Sequence, residues 1–314
     1  MAWILLATFG QFLNAIVAIL DKYIVSDEKA LPRPFVYAFY SCLLTGFWAV
    51  IYIFGSIPFL ASYGMPSLQN VQFPTIQVVA MAFLSAYTFF IALVSMYEAL
   101  RKSDASTVMP IIGTISALAT FGFSYLFLEA TLSVAHIVGI VILSLGTMLV
   151  AQSLPKMSAV LHVCHSGLFF AFHAITMKGL FDQTSFDDGF FWSRMSFVLF
   201  TLSLLLVPVY LEKIRTQSKS TSAKTGVIVI ATKVLAGVAA FMTLKATDWG
   251  EVAVVQALDG LRYVFILIIT ILFAHWLPHS AADKDTRPAT FFRKFLYIVL
   301  ITIGFIIIFS EDIL

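Results

Sequence analysis

Long apolar runs separated by short polar connections make up most of the chain. Each run is close to the ~20 residues that a helix needs to cross the hydrocarbon core of a bilayer. Backbone groups in lipid must satisfy one another, so every such run is predicted to be a helix. The ten runs cover approximately residues 2–25, 35–57, 75–99, 105–128, 132–151, 159–180, 189–210, 225–244, 251–274 and 292–309. The pattern therefore predicts an all-α integral membrane protein with ten transmembrane helices.

Composition supports the membrane class and leaves little room for others. The 314 residues are 60% hydrophobic and only 11% charged, whereas soluble domains have about 25% charged residues. Cys42 and Cys164 both fall inside apolar runs, which indicates buried thiols rather than a disulfide framework. Basic residues are scattered among the connections, so no nucleic-acid-binding face is expected.

Enzyme chemistry has no support in the sequence. The chain has no glycine-rich phosphate loop, no metal-spaced His/Asp cluster and no nucleophile elbow. We therefore expect neither catalysis nor a cofactor, and any transport should be secondary or facilitated.

Loop charge predicts an orientation. Fourteen Lys and Arg residues lie in the connections that follow the odd-numbered segments, and three lie near the opposite side. The positive-inside rule then puts the odd connections in the cytoplasm and both termini outside. We expect a multi-pass protein of the prokaryotic cytoplasmic (inner) membrane.

The two halves of the chain resemble each other. Residues 136–146 of the first half match residues 294–304 of the second, including a glycine at the same place. The halves, 1–152 and 153–314, would each contain five helices. Because five is odd, they must have opposite orientations, and inverted repeats commonly enclose a substrate site near the bilayer midplane.

A family resemblance rests on residues 98–110 (EALRKSDASTVMP), followed by 126–129 (LFLE) and by Gly139 and Gly146. This combination resembles the EamA-type repeat of the drug/metabolite transporter (DMT) superfamily, and the resemblance covers nearly the whole chain. It implies two inverted five-helix repeats around a central cavity, with export or uptake of a small organic solute. The second half departs from the pattern, because residues 271–277 (ILFAHWL) lack the acidic residue. Many relatives have cytoplasmic termini, against the loop charge, so both orientations stay open.

The ninth segment contains the main candidate substrate-binding residues. Gln256, Asp259 and Tyr263 fall within a ~60° stripe of a helical wheel, and Arg262 lies beside it. At ~1.5 Å per residue, Asp259 and Arg262 would lie ~12 and ~17 Å below the surface, where a charge facing lipid costs several kcal/mol. Two interpretations remain open. The charges form an internal pair at i,i+3 that locks the helix in place, or the stripe lines a cavity and binds the solute.

Smaller polar residues complete the proposed wall. Ser116 and Thr120 lie on one stripe of the fourth segment, opposite the ninth. In the sixth segment, His162, His165 and His173 share one face. Histidines at this spacing suit transition-metal binding or proton relay, but two of the three lie in the first turns, where interfacial histidine is ordinary, and no carboxylate shares the face, so no metal site is expected. We include His173 among the candidate substrate-binding residues.

A buried ammonium group predicts an ion pair. Lys233 lies midway along the eighth segment and needs a partner, for which Asp259 on the next segment is the candidate. Lys178 and Arg194, near the outer helix ends, either snorkel to lipid headgroups or add positive charge to the cavity. Surplus positive charge would favour anionic or zwitterionic substrates.

Taken together, these features predict a secondary membrane transporter of a small polar or charged organic metabolite, with alternating access between the two repeats. A flippase for a lipid-linked or headgroup-bearing molecule and a non-transporting membrane scaffold are the alternatives. The expected partners are the small-molecule substrate and membrane lipid, and homodimerisation is left open.

Overall fold

The computed structural model describes residues 2–26, 33–61, 64–103, 105–151, 154–220, 223–272 and 288–311. Within these ranges all regular secondary structure is helical. The helices are α1 Ala2–Ser26, α2 Pro34–Gly46, α3 Ile76–Lys102, α4 Ala105–Phe127, α5 Val134–Val150, α6 Met157–Gln183, α7 Phe186–Ser203, α8 Pro208–Ser220, α9 Ala223–Trp249, α10 Val252–Ala257, α11 Leu261–Leu272 and α12 Pro288–Glu311. Short helical turns extend α2 through Phe47–Ile51 and Tyr52–Gly55, and α7 through Leu204–Leu206.

Seven stretches of the described residues are long and apolar enough to cross a membrane. They are Ala2–Asp21, Pro34–Gly55, Ile76–Lys102, Thr107–Phe127, Met157–Gln183, Phe186–Leu206 and Gly226–Trp249. The fifth and tenth predicted segments appear as shorter apolar helices, Val134–Val150 and Phe295–Ser310. The ninth predicted segment is interrupted within residues 258–260, and its last two residues, 273–274, lie outside the described part of the chain.

Short polar residues begin several of the long helices. The Thr75 hydroxyl accepts a hydrogen bond from the Val78 amide at the start of α3. At the start of α7, the Ser185 hydroxyl accepts one from the Asp188 amide. Pro34 occupies the first turn of α2, where its missing N–H is not needed. The polar connections in the sequence therefore set the helix boundaries directly.

The outer faces of the helices are apolar. Leu84 of α3, Leu161 of α6, Val234 of α9 and Ile306 of α12 are all exposed. Contiguous exposed apolar surface of this kind suits contact with lipid. Cys42 is buried as predicted, but Cys164 is exposed on α6. The expectation that both thiols are buried is therefore wrong for Cys164, because an apolar run alone does not distinguish a lipid-facing position from a buried one.

Helix pairs pack along most of their lengths. α3 lies along α6, α1 along α9, and α5 along α12, while α4 contacts α6 and α1 contacts α11. The α5–α12 pair is especially close at its glycines: a Cβ atom on Gly304 would lie only 3.0 Å from the Gly139 carbonyl oxygen. Small residues permit such an approach between membrane helices. Gly139 and Gly304 therefore allow the close packing of α5 on α12.

Candidate substrate site

The ninth predicted segment is not one helix. α10 ends at Ala257, a single 3₁₀ turn spans Leu258–Gly260, and α11 begins at Leu261. A Cβ atom on Gly260 would collide with the Thr147 and Leu143 side chains of α5, so the backbone approaches α5 closely here. Interrupted membrane helices line substrate sites in many transporters, and a 3₁₀ stretch inside a helix often marks a functional position.

Asp259 lies within this break and pairs with Arg262. The Arg262 guanidinium donates a hydrogen bond to the Asp259 carboxylate, and the two side chains are 14% and 17% exposed. The guanidinium also reaches the Gln11 side-chain oxygen of α1 at 3.5 Å. On the other side, a Cβ atom at Gly113 of α4 would lie 3.5 Å from an Asp259 carboxylate oxygen. The pair therefore forms internally, as one interpretation of the sequence predicted, and it contacts α1 and faces α4.

Several buried polar atoms of α4 and α11 have no hydrogen-bond partner among the described residues. They are the hydroxyls of Ser116, Thr120 and Tyr263 and the Nε atom of Arg262. A buried polar group without a partner costs ~1–3 kcal/mol, and native structures leave few of them. A polar ligand between α4 and α11 could form hydrogen bonds with these atoms. They are therefore the groups of the candidate site that are available to bind a solute.

Four of the predicted wall residues lie on α4, α10 and α11. α4 packs against α10, and Ser116 and Thr120 are buried at 1% and 0% exposure. Tyr263 is buried beside α4, since a Cβ atom on Gly113 would lie 3.5 Å from the Tyr263 hydroxyl. Gln256 lies on α10 and is half-buried.

Lys233 does not pair with Asp259, so that prediction is wrong. Its ammonium lies 2.9 and 3.3 Å from the two carboxylate oxygens of Asp21. The Tyr97 hydroxyl is 3.4 Å from the ammonium, and the Tyr37 ring lies under it at 4.4 Å. The reason is the long contact between α1 and α9, which places Lys233 beside the only acidic residue of α1.

His173 belongs to a helix interface rather than to the Asp259 site. Its Nδ1 atom lies 3.2 Å from the Ser85 hydroxyl of α3. His165 bonds the Ser95 hydroxyl of the same helix at 2.8 Å, and the other histidine of this face, His162, also contacts α3. The shared face therefore packs α6 on α3. In the described ranges no cluster of three or more metal-binding side chains occurs.

Arg194 and Lys178 behave differently from each other. Lys178 forms an ion pair with Asp182 at 3.1 Å and donates to the Asp248 carbonyl at 3.2 Å. Arg194 is 2% exposed on α7, so the expectation that it snorkels to headgroups is wrong. Helices packed around α7 enclose the position, which the sequence distance from the helix end does not reveal.

Sequence reasoning missed Asp21, Tyr37 and Tyr97. The Tyr37 hydroxyl donates to the Asp21 carboxylate, and the Tyr97 hydroxyl lies 3.5 Å from that of Ser41. The available signal was Asp21 itself, an acidic residue at the end of a 20-residue apolar span. A cavity of about 500 Å³ lies apart from all of these residues, along α8 at Pro208, Leu211, Glu212, Arg215 and Thr216.

The fold and the comparisons define the class of protein. The spans and apolar surface are those of an integral, multi-pass, all-helical membrane protein. Residues 1–152 match the model of the EamA-like transporter family. These residues, just under half of the chain, are similar to the EamA-like transporter family of the DMT superfamily, whose members are transporters rather than enzymes. The resemblance noted from residues 98–110 is thereby confirmed.

Structural comparison supports the fold over the whole chain. A solved crystal structure superposes with a TM-score of 0.62 at 14% sequence identity, covering 96% of this chain and 96% of that chain. At this level of identity the likeness concerns the fold alone. No curated protein matches the chain.

Proposed function

We propose that the protein is a secondary transporter of a small polar or charged organic solute, with alternating access between two inverted five-helix halves, 1–152 and 153–314. The packing supports this division. In the ten-segment numbering, α9 is the eighth segment and α11 belongs to the ninth. The contact between segments 3 and 6 (α3–α6) in this way corresponds to the contact between segments 8 and 1 (α9–α1), and the contact between segments 4 and 6 (α4–α6) corresponds to that between segments 9 and 1 (α11–α1). Equivalent contacts of this kind are expected for two halves related by a pseudo-two-fold axis.

The observation that carries the proposal is the helix break at Leu258–Gly260, with an ion pair inside it and unpartnered polar atoms around it. Asp259 and Arg262 come from one half, and they face Gly113 and Gln11 of the other. A solute held here would contact both halves. Its polar atoms would bond the Tyr263 hydroxyl and its charged group the Asp259–Arg262 pair. Rocking one half against the other would then expose the solute to alternate sides.

The internal Asp259–Arg262 pair also favours a second candidate, a membrane scaffold that keeps the fold without transport. A neutralised pair needs no ligand, and i,i+3 pairs stabilise helices by themselves. The two functions differ in what the carboxylate is for. In a transporter it serves the solute, whereas in a scaffold it serves folding.

Asp259→Asn separates the two candidates. The purified protein is reconstituted into liposomes, and uptake is measured for labelled organic anions, zwitterionic amino acids and organic cations. We expect saturable uptake of at least one class, reduced about tenfold or more in Asp259→Asn, because a hydrogen bond to a charged group is worth roughly 1.5–3 kcal/mol. Folded yield should change far less.

The matched control is Asp182→Asn, since that carboxylate pairs with Lys178 at the end of α6 and is 48% exposed. Its uptake should equal that of the unmodified protein. Equal losses of uptake and folded yield in Asp259→Asn would favour the scaffold, and the absence of saturable uptake for all three solute classes would contradict the proposal.

A further inference from the structure

Arg194 is a buried cation without an acidic partner. Its side chain is 2% exposed in the middle of α7. The structure gives it two hydrogen bonds, both 3.4 Å long and both to the adjacent Ser193 hydroxyl. Across the ranges that the structure describes, no carboxylate lies within 4 Å of its guanidinium. An arginine has five N–H donors, so most of its hydrogen-bonding capacity is unused.

The surroundings of Arg194 provide rings rather than charge. The Phe190 and Phe197 rings each lie 4.8 Å from the guanidinium carbon. Cation–π contacts attract a guanidinium, but they do not replace a counter-ion in a buried site. The two hydrogen bonds to Ser193 come from Nε and Nη2 and are both long, so a ligand anion could compete for these donors and also bind Nη1.

Among the described residues, no neighbouring charge forms an ion pair with Arg194. Lys233 is already paired with Asp21. The Cys42 thiol of α2 lies within electrostatic range of both Lys233 and Arg194, so the two cations border a common region. Asp187 and Asp188 at the start of α7 share the surroundings of Tyr52 with Arg194, but among the described residues neither carboxylate forms an ion pair with the guanidinium. A buried guanidinium without an ion-pair partner inside a membrane span is unfavourable and marks a candidate functional position.

The location fits a solute pathway. A Cβ atom at Gly46 of α2 would lie 3.1 Å from the Arg194 carbonyl oxygen, so α2 of the first half and α7 of the second touch at this residue. Arg194 therefore lies at the contact between the two halves, as Asp259 does.

We propose that Arg194 is the anchor for an anionic group, carboxylate or phosphate, of the transported solute. This rests on the proposed transport function and adds a substrate class to it. The guanidinium provides two parallel N–H donors, which match the paired oxygens of either anion. The solute supplies the counter-charge that no described carboxylate places within 4 Å of the guanidinium, and Ser193 contributes a hydroxyl next to it.

The test uses thermal unfolding of the purified full-length protein, followed by tryptophan fluorescence. Sodium acetate or inorganic phosphate replaces sodium chloride at constant ionic strength, and acetamide is the uncharged probe. We expect the unfolding temperature to rise with one or both anions and to saturate, with no rise for acetamide. Preference between acetate and phosphate distinguishes a carboxylate substrate from a phosphorylated one.

Arg194→Met tests the residue itself. Without added anion its unfolding temperature should equal or exceed that of the unmodified protein, because a buried uncompensated charge has been removed. Its response to anions should disappear. Arg194→Lys keeps the positive charge but loses the paired N–H donors of the guanidinium. We therefore expect this variant to bind the anion roughly tenfold more weakly. Lys178→Met, which removes a cation from the end of α6, should keep the full response.

Three results would overturn the assignment. These are no anion response in the unmodified protein, a response that survives Arg194→Met, or a lower unfolding temperature of Arg194→Met together with an unchanged response in Arg194→Lys. Transport provides the separation from the wider proposal. If uptake fails in the Asp259→Asn variant but is intact in Arg194→Met, the transporter stands and the Arg194 anchor does not.

Discussion

The Lys233 ammonium of α9 lies 2.9 Å from the Asp21 carboxylate of α1, and the two side chains are 7% and 15% exposed. This ion pair joins the first half of the chain to the second. Tyr37 and Tyr97 complete it, one by a hydrogen bond to Asp21 and a ring beneath the ammonium, the other by a hydroxyl at 3.4 Å. The pair and its tyrosines form a polar cluster between α1, α2, α3 and α9.

Removing one charge from this cluster should be far more harmful than removing both. Asp21→Asn leaves Lys233 as an uncompensated buried cation, so we expect a loss of about 3 kcal/mol in the free energy of unfolding. The double variant Asp21→Asn/Lys233→Met should recover most of that loss. Reversible denaturation in detergent micelles measures both, and a double-mutant cycle gives the coupling.

The control for this pair is Asp182→Asn. Its carboxylate pairs with Lys178 at 3.1 Å but is 48% exposed, and ion pairs at such positions contribute less than about 1 kcal/mol. Equal losses in Asp21→Asn and in the double variant would show that the two charges are not coupled.

The glycine contact between α5 and α12 predicts a steric effect. Gly304→Ala adds a Cβ atom that would lie 2.8 Å from the Leu143 amide nitrogen and 3.0 Å from the Gly139 carbonyl oxygen. Both are backbone atoms of α5 and cannot move aside as the end of a flexible side chain could, so we expect a loss of ~1–3 kcal/mol in the free energy of unfolding. Gly122→Ala on α4 is the control, because no atom lies within 4 Å of its Cβ position. A neutral Gly304→Ala would contradict the close packing.

Two acidic residues at the start of α7 hold the connection between α2 and α3. Asp187 accepts hydrogen bonds from the Ser67 amide at 3.1 Å and the Asn70 side chain at 2.7 Å, and Asp188 accepts one from the Gln72 amide at 2.9 Å. Asp187→Ala removes two charge-assisted bonds, so amide hydrogen exchange across this connection should accelerate by about tenfold to a hundredfold.

Exchange elsewhere should change little in Asp187→Ala, because the effect is local. Asp182 is a neighbouring acidic residue whose recorded partner is Lys178. Asp182→Ala should leave amide exchange in the α2–α3 connection unchanged. An unaltered rate at Ser67 and Gln72 in Asp187→Ala would mean that these hydrogen bonds do not hold the connection.

Hydrophobic pattern was sufficient for the class and for most helices, because lipid imposes both length and apolar composition on a span. It failed where a helix changes its geometry. Residues 251–274 read as one continuous apolar helix, yet a 3₁₀ turn divides them at Asp259. Asp259 and Gly260 are weak helix formers and form an Asp-Gly turn signal, which the hydrophobic pattern does not register. The turn coincides with the close contact of Gly260 with α5, which is a tertiary relationship.

The candidate site was predictable in the same uneven way. Spacing along one helix gave the Asp259–Arg262 pair, since i,i+3 neighbours meet on any helix surface. The partner of Lys233 depends on which helix packs beside α9, and chain order suggested the next segment instead of α1. The enclosure of Arg194 likewise depends on α2, which is 148 residues earlier at Gly46 and cannot be located from the α7 sequence.

The most direct test of the account is whether water reaches the surface between α4 and α11. In a background with Cys42→Ala and Cys164→Ala, Ser116→Cys places a thiol on the buried wall, and Leu118→Cys places one on a face that is 44% exposed. Labelling with a membrane-impermeant methanethiosulfonate reagent is followed in liposomes. Alternating access predicts that Ser116→Cys reacts, that transported solute slows the reaction, and that Leu118→Cys stays unreactive in lipid. A Ser116→Cys thiol as unreactive as Leu118→Cys would contradict a hydrated passage there.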